Sequence, residues 1–177
     1  MTASARFSTG AGRVFSTGAD LTGRGSARKD AHTPLGMRIS TFGFSRMVNA
    51  IWALEKPVVC AVNGAAAGAS CNLVLSCDLV MAADTAKFIQ VFVRRRLIPD
   101  GGGTYILPRL VGLPRAKQLM MLGEDLPASR ALEWGLIYDI VAADKLMDEA
   151  MKTAQRLACG PTRAIGMTKS MLKMREL

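Results

Sequence analysis

The chain has 177 residues, half of them apolar, 11 of them methionine and only 6% aromatic, a composition that fits one globular domain with a real core. No apolar run approaches the ~18 residues of a membrane span, and the first residues carry no apolar stretch of the secretory type. The formal charge of +9 is scattered, apart from Arg94-Arg95-Arg96, and no aromatics alternate with it, so it favours a phosphate-bearing small ligand over nucleic acid.

Residues 7–21 (FSTGAGRVFSTGADL) repeat FSTGA and end in a turn of small residues. Residues 22–46 are polar, glycine-rich and basic, and read as a long loop that turns helical toward Phe44. RMVNAIWALE, 46–55, has helical apolar spacing, and Lys56-Pro57 stops it. VVCAVNG, 58–64, is a short apolar strand closed by an Asn-Gly turn. AAAGASCNLVLSC, 65–77, predicts a helix whose first turn, near Gly68 to Ser70, packs very closely on a neighbour. DLVMAA (78–83) and KFIQVF (87–92) predict further buried strands, and 94–100 a loop.

From Gly102 onward helices dominate. TYILPRLVG is expected to break near Pro108. LPRAKQLMMLG is framed by Pro114 and Gly123, and LPASRALEWG by Ala128 or Ser129 and Gly135. LIYDIV, 136–141, predicts a strand. Residues 144–158 predict an amphipathic helix with Asp144 as N-cap, and 162–175 a last basic helix after Gly160-Pro161. Strands alternating with helices indicate an α/β fold, with a core over 1–142 and a helical C-terminal segment over 143–177.

Cys60, Cys71, Cys77 and Cys159 form no CxxC pair and read as reduced, buried thiols of a cytoplasmic protein. The single histidine, His32, lies in a polar stretch, so neither a metal site nor a His-activated nucleophile is expected.

Two stretches of small residues, FSTGADL and AAAGASCN, are suited to presenting free backbone N–H groups. Two such groups meeting at one oxygen form an oxyanion hole, each donor being worth on the order of 3–4 kcal/mol. The plainer reading of either stretch is tight helix–strand packing. LIPDGGGT, 97–104, poses a second choice. Asp100 is either the cap of the following helix, stabilising it by ~1 kcal/mol with a lowered pKa, or a base whose pKa is raised by Leu97, Ile98 and Pro99.

STGADL, AVNGAAAG, SCDLVMAA and PDGGGT, in that order, with PRLVG and MLGEDLPASRALEWGLI after them, resemble the crotonase superfamily, the enoyl-CoA hydratase/isomerase fold. The resemblance covers essentially the whole chain. It implies a spiral of ββα units, a homo-oligomer (trimer or hexamer), and acyl-CoA thioesters as substrates, with no separate cofactor and neither nucleic acid nor membrane as partner. It places the thioester oxygen between the N–H groups of Ala19 and Ala69, and coenzyme A against Ser16, Thr17, Asp20, Leu21 and Gly68. Arg24, Arg28 and Lys29 are then either phosphate partners or solvated loop charges.

In the family, hydratases use two glutamates; the matching positions here hold Asn72 and Phe92. The segment from FIQVF to EWGLI resembles instead the phenylacetate-pathway branch, the 1,2-epoxyphenylacetyl-CoA isomerases, and their Δ3,Δ2-enoyl-CoA isomerase relatives. There the Asp of P-D-x-G-G is the single base, which implies that role for Asp100. Asn72 either bonds substrate or satisfies a buried helix start. Family members also begin with two strands and a helix before FSTGAGR and run on past the basic helix, so the chain is expected to lack both segments. The alternatives left open are a hydratase using other residues and a truncated subunit that only binds coenzyme A or assembles.

Overall fold

The computed structural model describes residues 5–19 and 34–174. Along them run β1 (Arg6–Thr9), α1 (Pro34–Ala53), β2 (Val58–Val62), β3 (Ala65–Ala67), α2 (Ala69–Leu75), β4 (Leu79–Ala83) and β5 (Lys87–Ile89). A 3-10 turn (Val91–Arg95) leads to α3 (Gly103–Leu122), β6 (Asp125–Pro127), α4 (Ala128–Glu133), β7 (Asp139–Val141), α5 (Leu146–Cys159) and α6 (Thr162–Met174).

The strands form two sheets, one of order β1-β2-β4-β7 and entirely parallel, the other of order β3-β5-β6 with β6 antiparallel. From β2 to β5 the strands enter the two sheets in turn. β2 lies in the first and β3 in the second, and then α2 returns; β4 and β5 repeat the step before α3. Each ββα unit therefore stacks on the one before, Cys60 beside Val80 and Ala66 beside Phe88. β2 is buried at all five positions, because a parallel sheet covered on both faces leaves no side for water, which accounts for VVCAV lacking polar residues. Val59, Val62, Val74, Leu107 and Leu146 are fully buried at its heart. The α/β spiral is the one expected.

Several boundaries differ from the sequence reading. The predicted loop is helical from Pro34, where a preset φ and a missing N–H suit a first helical turn. Ala65–Ala67 is a strand, paired to Lys87–Ile89, although alanine favours helices; the helix starts only after Gly68, at φ 59°. α3 kinks at Gly112 (φ 78°, ψ 159°), not at Pro108, so Pro114 opens its second half. The strand at 87 ends at Ile89 in place of Phe92, and Asp125–Pro127 is a strand the sequence reading missed. Asp144 does not cap α5: the N-cap is Lys145, with no side-chain bond.

Candidate active site

The two small-residue turns meet. Ser16 bridges Ala66 as a short extra parallel pairing, with Ser16 N–H donating to Ala65 O (3.1 Å) and Ala67 N–H to Ser16 O (3.0 Å). The Ser70 hydroxyl shares its one proton between Ala67 O, at 2.7 Å, and Ser16 O, at 3.0 Å, and ties the first turn of α2 to the strand of the other turn. Gly18, at φ 95°, comes so near that a Cβ there would be 2.9 Å from Ala67 O and 3.9 Å from Ala69 N. Small residues do pack tightly here, and the same packing brings the chain next to Ala19 up to the start of α2. The Ala69 N–H opens that helix, where no preceding turn can accept its bond.

PDGGGT supplies the third piece. Gly101 and Gly102 both take left-handed conformations (φ 54° and 76°), so the chain reverses in two residues before α3 begins. Asp100 does not cap that helix: its N-cap is Gly102, with no side-chain bond. The Asp100 carboxyl is partly buried, its Oδ1 has no hydrogen-bond partner, and burial raises its pKa above the usual 3.8, offset in part by its own backbone N–H. Ile98, expected to help desolvate it, is 86% exposed and does not.

Asn72 joins the pieces. It follows Ala69 by three residues on α2, so the two share a face. Its Nδ2 donates to Asp100 O at 2.8 Å, and its Oδ1 accepts from Gln90 Nε2 at 2.8 Å. Asn72 is therefore fully buried and engaged within the fold. Phe92 is buried as well, its Cζ 3.9 Å from where a Cβ on Gly68 would stand. Neither position carries a carboxyl group that could activate water.

Ser16, Gly18, Gly68 and Ala69 thus meet at the start of α2, with Thr17 and Ala19 flanking Gly18 in the chain, and Asn72, one turn along the helix, holds the backbone of Asp100. Asp20, Leu21, Arg24, Arg28, Lys29 and His32 lie outside the described residues. Arg94 pairs with Asp125 at 2.6 Å, on the second sheet. Cys60 and Cys71 are buried, with the Cys71 thiol pushed up to about 12, but Cys159 is exposed. Among the described residues no cluster of His, Cys, Asp or Glu is suited to a metal ion, and no helix is long and apolar enough to cross a membrane. Gln90 was missed by the sequence reading; its signal is a lone amide in the apolar stretch KFIQVF, which must find a partner once buried.

A family model described as Enoyl-CoA hydratase/isomerase matches residues 7–176. The chain is 44% identical over 168 residues to the 1,2-epoxyphenylacetyl-CoA isomerase of Escherichia coli K12, covering 95% of this chain and 64% of that one. It is 36% identical to the short-chain-enoyl-CoA hydratase of Clostridium acetobutylicum, over 91% of this chain and 60% of the relative. The chain thus spans about three-fifths of the length of these curated relatives, 64% and 60%. A crystal structure of an enoyl-CoA hydratase from Mycobacterium avium subsp. paratuberculosis superposes with a TM-score of 0.85 at 37% identity, covering 97% of this chain and 67% of that one.

Proposed function

Because the chain belongs to the enoyl-CoA hydratase/isomerase family, with its crotonase fold, we propose that it isomerises acyl-CoA thioesters through an enolate, with Asp100 as the single proton carrier. The N–H groups of Ala19 and Ala69 receive the thioester oxygen. Asp100 takes a proton from the carbon beside the carbonyl, and the charge spreads onto that oxygen. The same carboxyl returns the proton farther along the acyl chain, so the double bond moves and no atom is gained or lost.

The observation that carries this reading is the Asp100 carboxyl, partly buried, with one oxygen unbonded and its pKa raised, and free of the helix it precedes. A raised pKa suits a group that must both take and give a proton near neutrality. A water-adding enzyme with two acids is disfavoured by Asn72 and Phe92. Opening of a ring epoxide is the variant of this chemistry suggested by the Escherichia coli relative. We place the reaction in a cytoplasmic homo-oligomer, a trimer or hexamer. Four free cysteines and the exposed apolar side chains of Met121, Leu122, Met167 and Met171 support that setting.

The test is the purified chain with a 3-enoyl-CoA thioester, following appearance of the conjugated 2-enoyl product. Turnover is expected, with a loss of about 10²–10⁴-fold in Asp100→Asn. Coenzyme A binding without turnover supports a binding subunit, and water addition that survives the substitution supports a hydratase.

A further inference from the structure

We propose that Gln90 is a positioning residue for Asp100, acting through the Asn72 carboxamide. This rests on the reading of Asp100 as the base.

The polarity of the chain of bonds is fixed from its far end. The Asp100 carbonyl accepts only, so Asn72 must turn its Nδ2 toward it. Asn72 Oδ1 is then left facing Gln90, and only a donor can satisfy it there, which makes Gln90 present Nε2. A second, weaker contact from the same Nε2 to Cys71 Sγ, at 3.5 Å, holds the amide in that orientation. Gln90 is 2% exposed, and its Oε1 is buried with no partner. The unpaired acceptor is a cost that an apolar residue would not carry, and the bonds made by Nε2 are what offsets it.

What Nε2 does is hold the loop. Gln90 follows directly on β5, a strand paired on both edges, and is the rigid end of the relay. Asn72 is the hinge, and the Asp100 carbonyl, which also accepts from Gly103 N–H at 3.0 Å, is the group held. Without the Gln90 donor, the Asn72 carboxamide loses the bond that fixes which way it faces, and the turn at Gly101 and Gly102 is held less firmly on α2. The carboxyl then moves with its own backbone and regains water.

The experiment uses the full chain with Gln90→Met, which keeps the side-chain length and removes the donor, beside Asn72→Ala and the double variant. Gln90→Met is expected to lower kcat roughly ten- to a hundred-fold with KM little changed. The double variant is expected to be no slower than Asn72→Ala alone, because both remove one relay. Additive losses overturn the route through Asn72. The deciding readout needs no turnover: carbon-13 aspartate labelling, with Asp100→Asn assigning the resonance, follows the Asp100 titration directly. In Gln90→Met its midpoint falls toward the ordinary carboxylate range; a midpoint that does not move overturns the proposal. Should Gln90→Met fail to fold, Gln90→Asn withdraws the same amide by one methylene and is read the same way. Wild-type turnover in Asp100→Asn would sink the base reading alone, since the titration still reports whether Gln90 governs this carboxyl.

Discussion

Gly103 lies against the Asn72 carboxamide so closely that a Cβ on it would stand 2.4 Å from Nδ2 and 2.7 Å from Oδ1. Its backbone is not left-handed, so space alone demands glycine there. Gly103→Ala is expected to destabilise the fold by about 1–3 kcal/mol, the usual cost of overpacking, and to lower turnover by displacing Asn72 from the Asp100 carbonyl. Urea denaturation gives the first quantity and isomerase kinetics the second. Unchanged values for both would mean that Asn72 has room the structure does not show.

The Asp100 carboxyl sets a pH dependence. Its folded pKa is raised above the ordinary 3.8 by burial. Its contribution to stability is fully present below the unfolded value and is lost as pH rises through the folded one. Asp100→Asn should therefore be the more stable protein at neutral pH, with the difference closing in acid below about pH 4. Denaturation at the two pH values measures it. In the same wild-type protein the acid limb of kcat should lie above the ordinary carboxylate range, since the protonated acid cannot take a proton.

Gly18 is the tightest point of the other turn. At φ 95°, and with a Cβ 2.9 Å from Ala67 O, an alanine would be both strained and crowded. Gly18→Ala is expected to push the chain at Ala19 away from the start of α2. If the Ala19 N–H holds the thioester oxygen, kcat should fall about 10²–10³-fold, the cost of one lost donor, while circular dichroism stays unchanged. A variant that turns over normally would remove Ala19 from the reaction.

Away from the site, Lys169 on α6 donates to Asp78 Oδ2 at 2.6 Å and to Lys56 O at 3.1 Å, with its side chain 6% exposed. Asp78 Oδ2 also accepts from Val58 N–H. Asp78→Asn keeps an acceptor for Val58 but strands a buried ammonium, so it should destabilise by about 3–5 kcal/mol. Adding Lys169→Met to it should recover part of the loss, which thermal melts of the three variants can show.

Much of the site was legible because glycine and the small residues leave few backbone options. AVNGAAAG predicted a close approach near Gly68 to Ser70, and it is found. What escaped was set by partners far along the chain. Ala65–Ala67 carries helical propensity and becomes a strand only because Ser16 and β5 bond to it. Pro34 to Phe44 looked like loop because glycine and threonine are poor helix formers, yet α1 packs on α2 and stays helical. Whether Asp100 capped its helix could not be decided from the sequence, since a cap and a buried acid share one residue pattern. The geometry of Gly102 separates them.

The alternation of strands between two sheets bears on how the molecule comes together. No strand of the first sheet meets its neighbour through a hairpin. Thr9 lies beside Ala61, 52 residues on, and Met81 pairs with Asp139. Each pairing must close a long stretch of chain before it returns any binding energy. Such high contact order predicts refolding on the ms-to-s scale or slower. The relay from Gln90 to Asp100 needs both sheets and α2 already in place, so its competence should appear last in a refolding reaction and vanish first under mild denaturant, ahead of bulk unfolding.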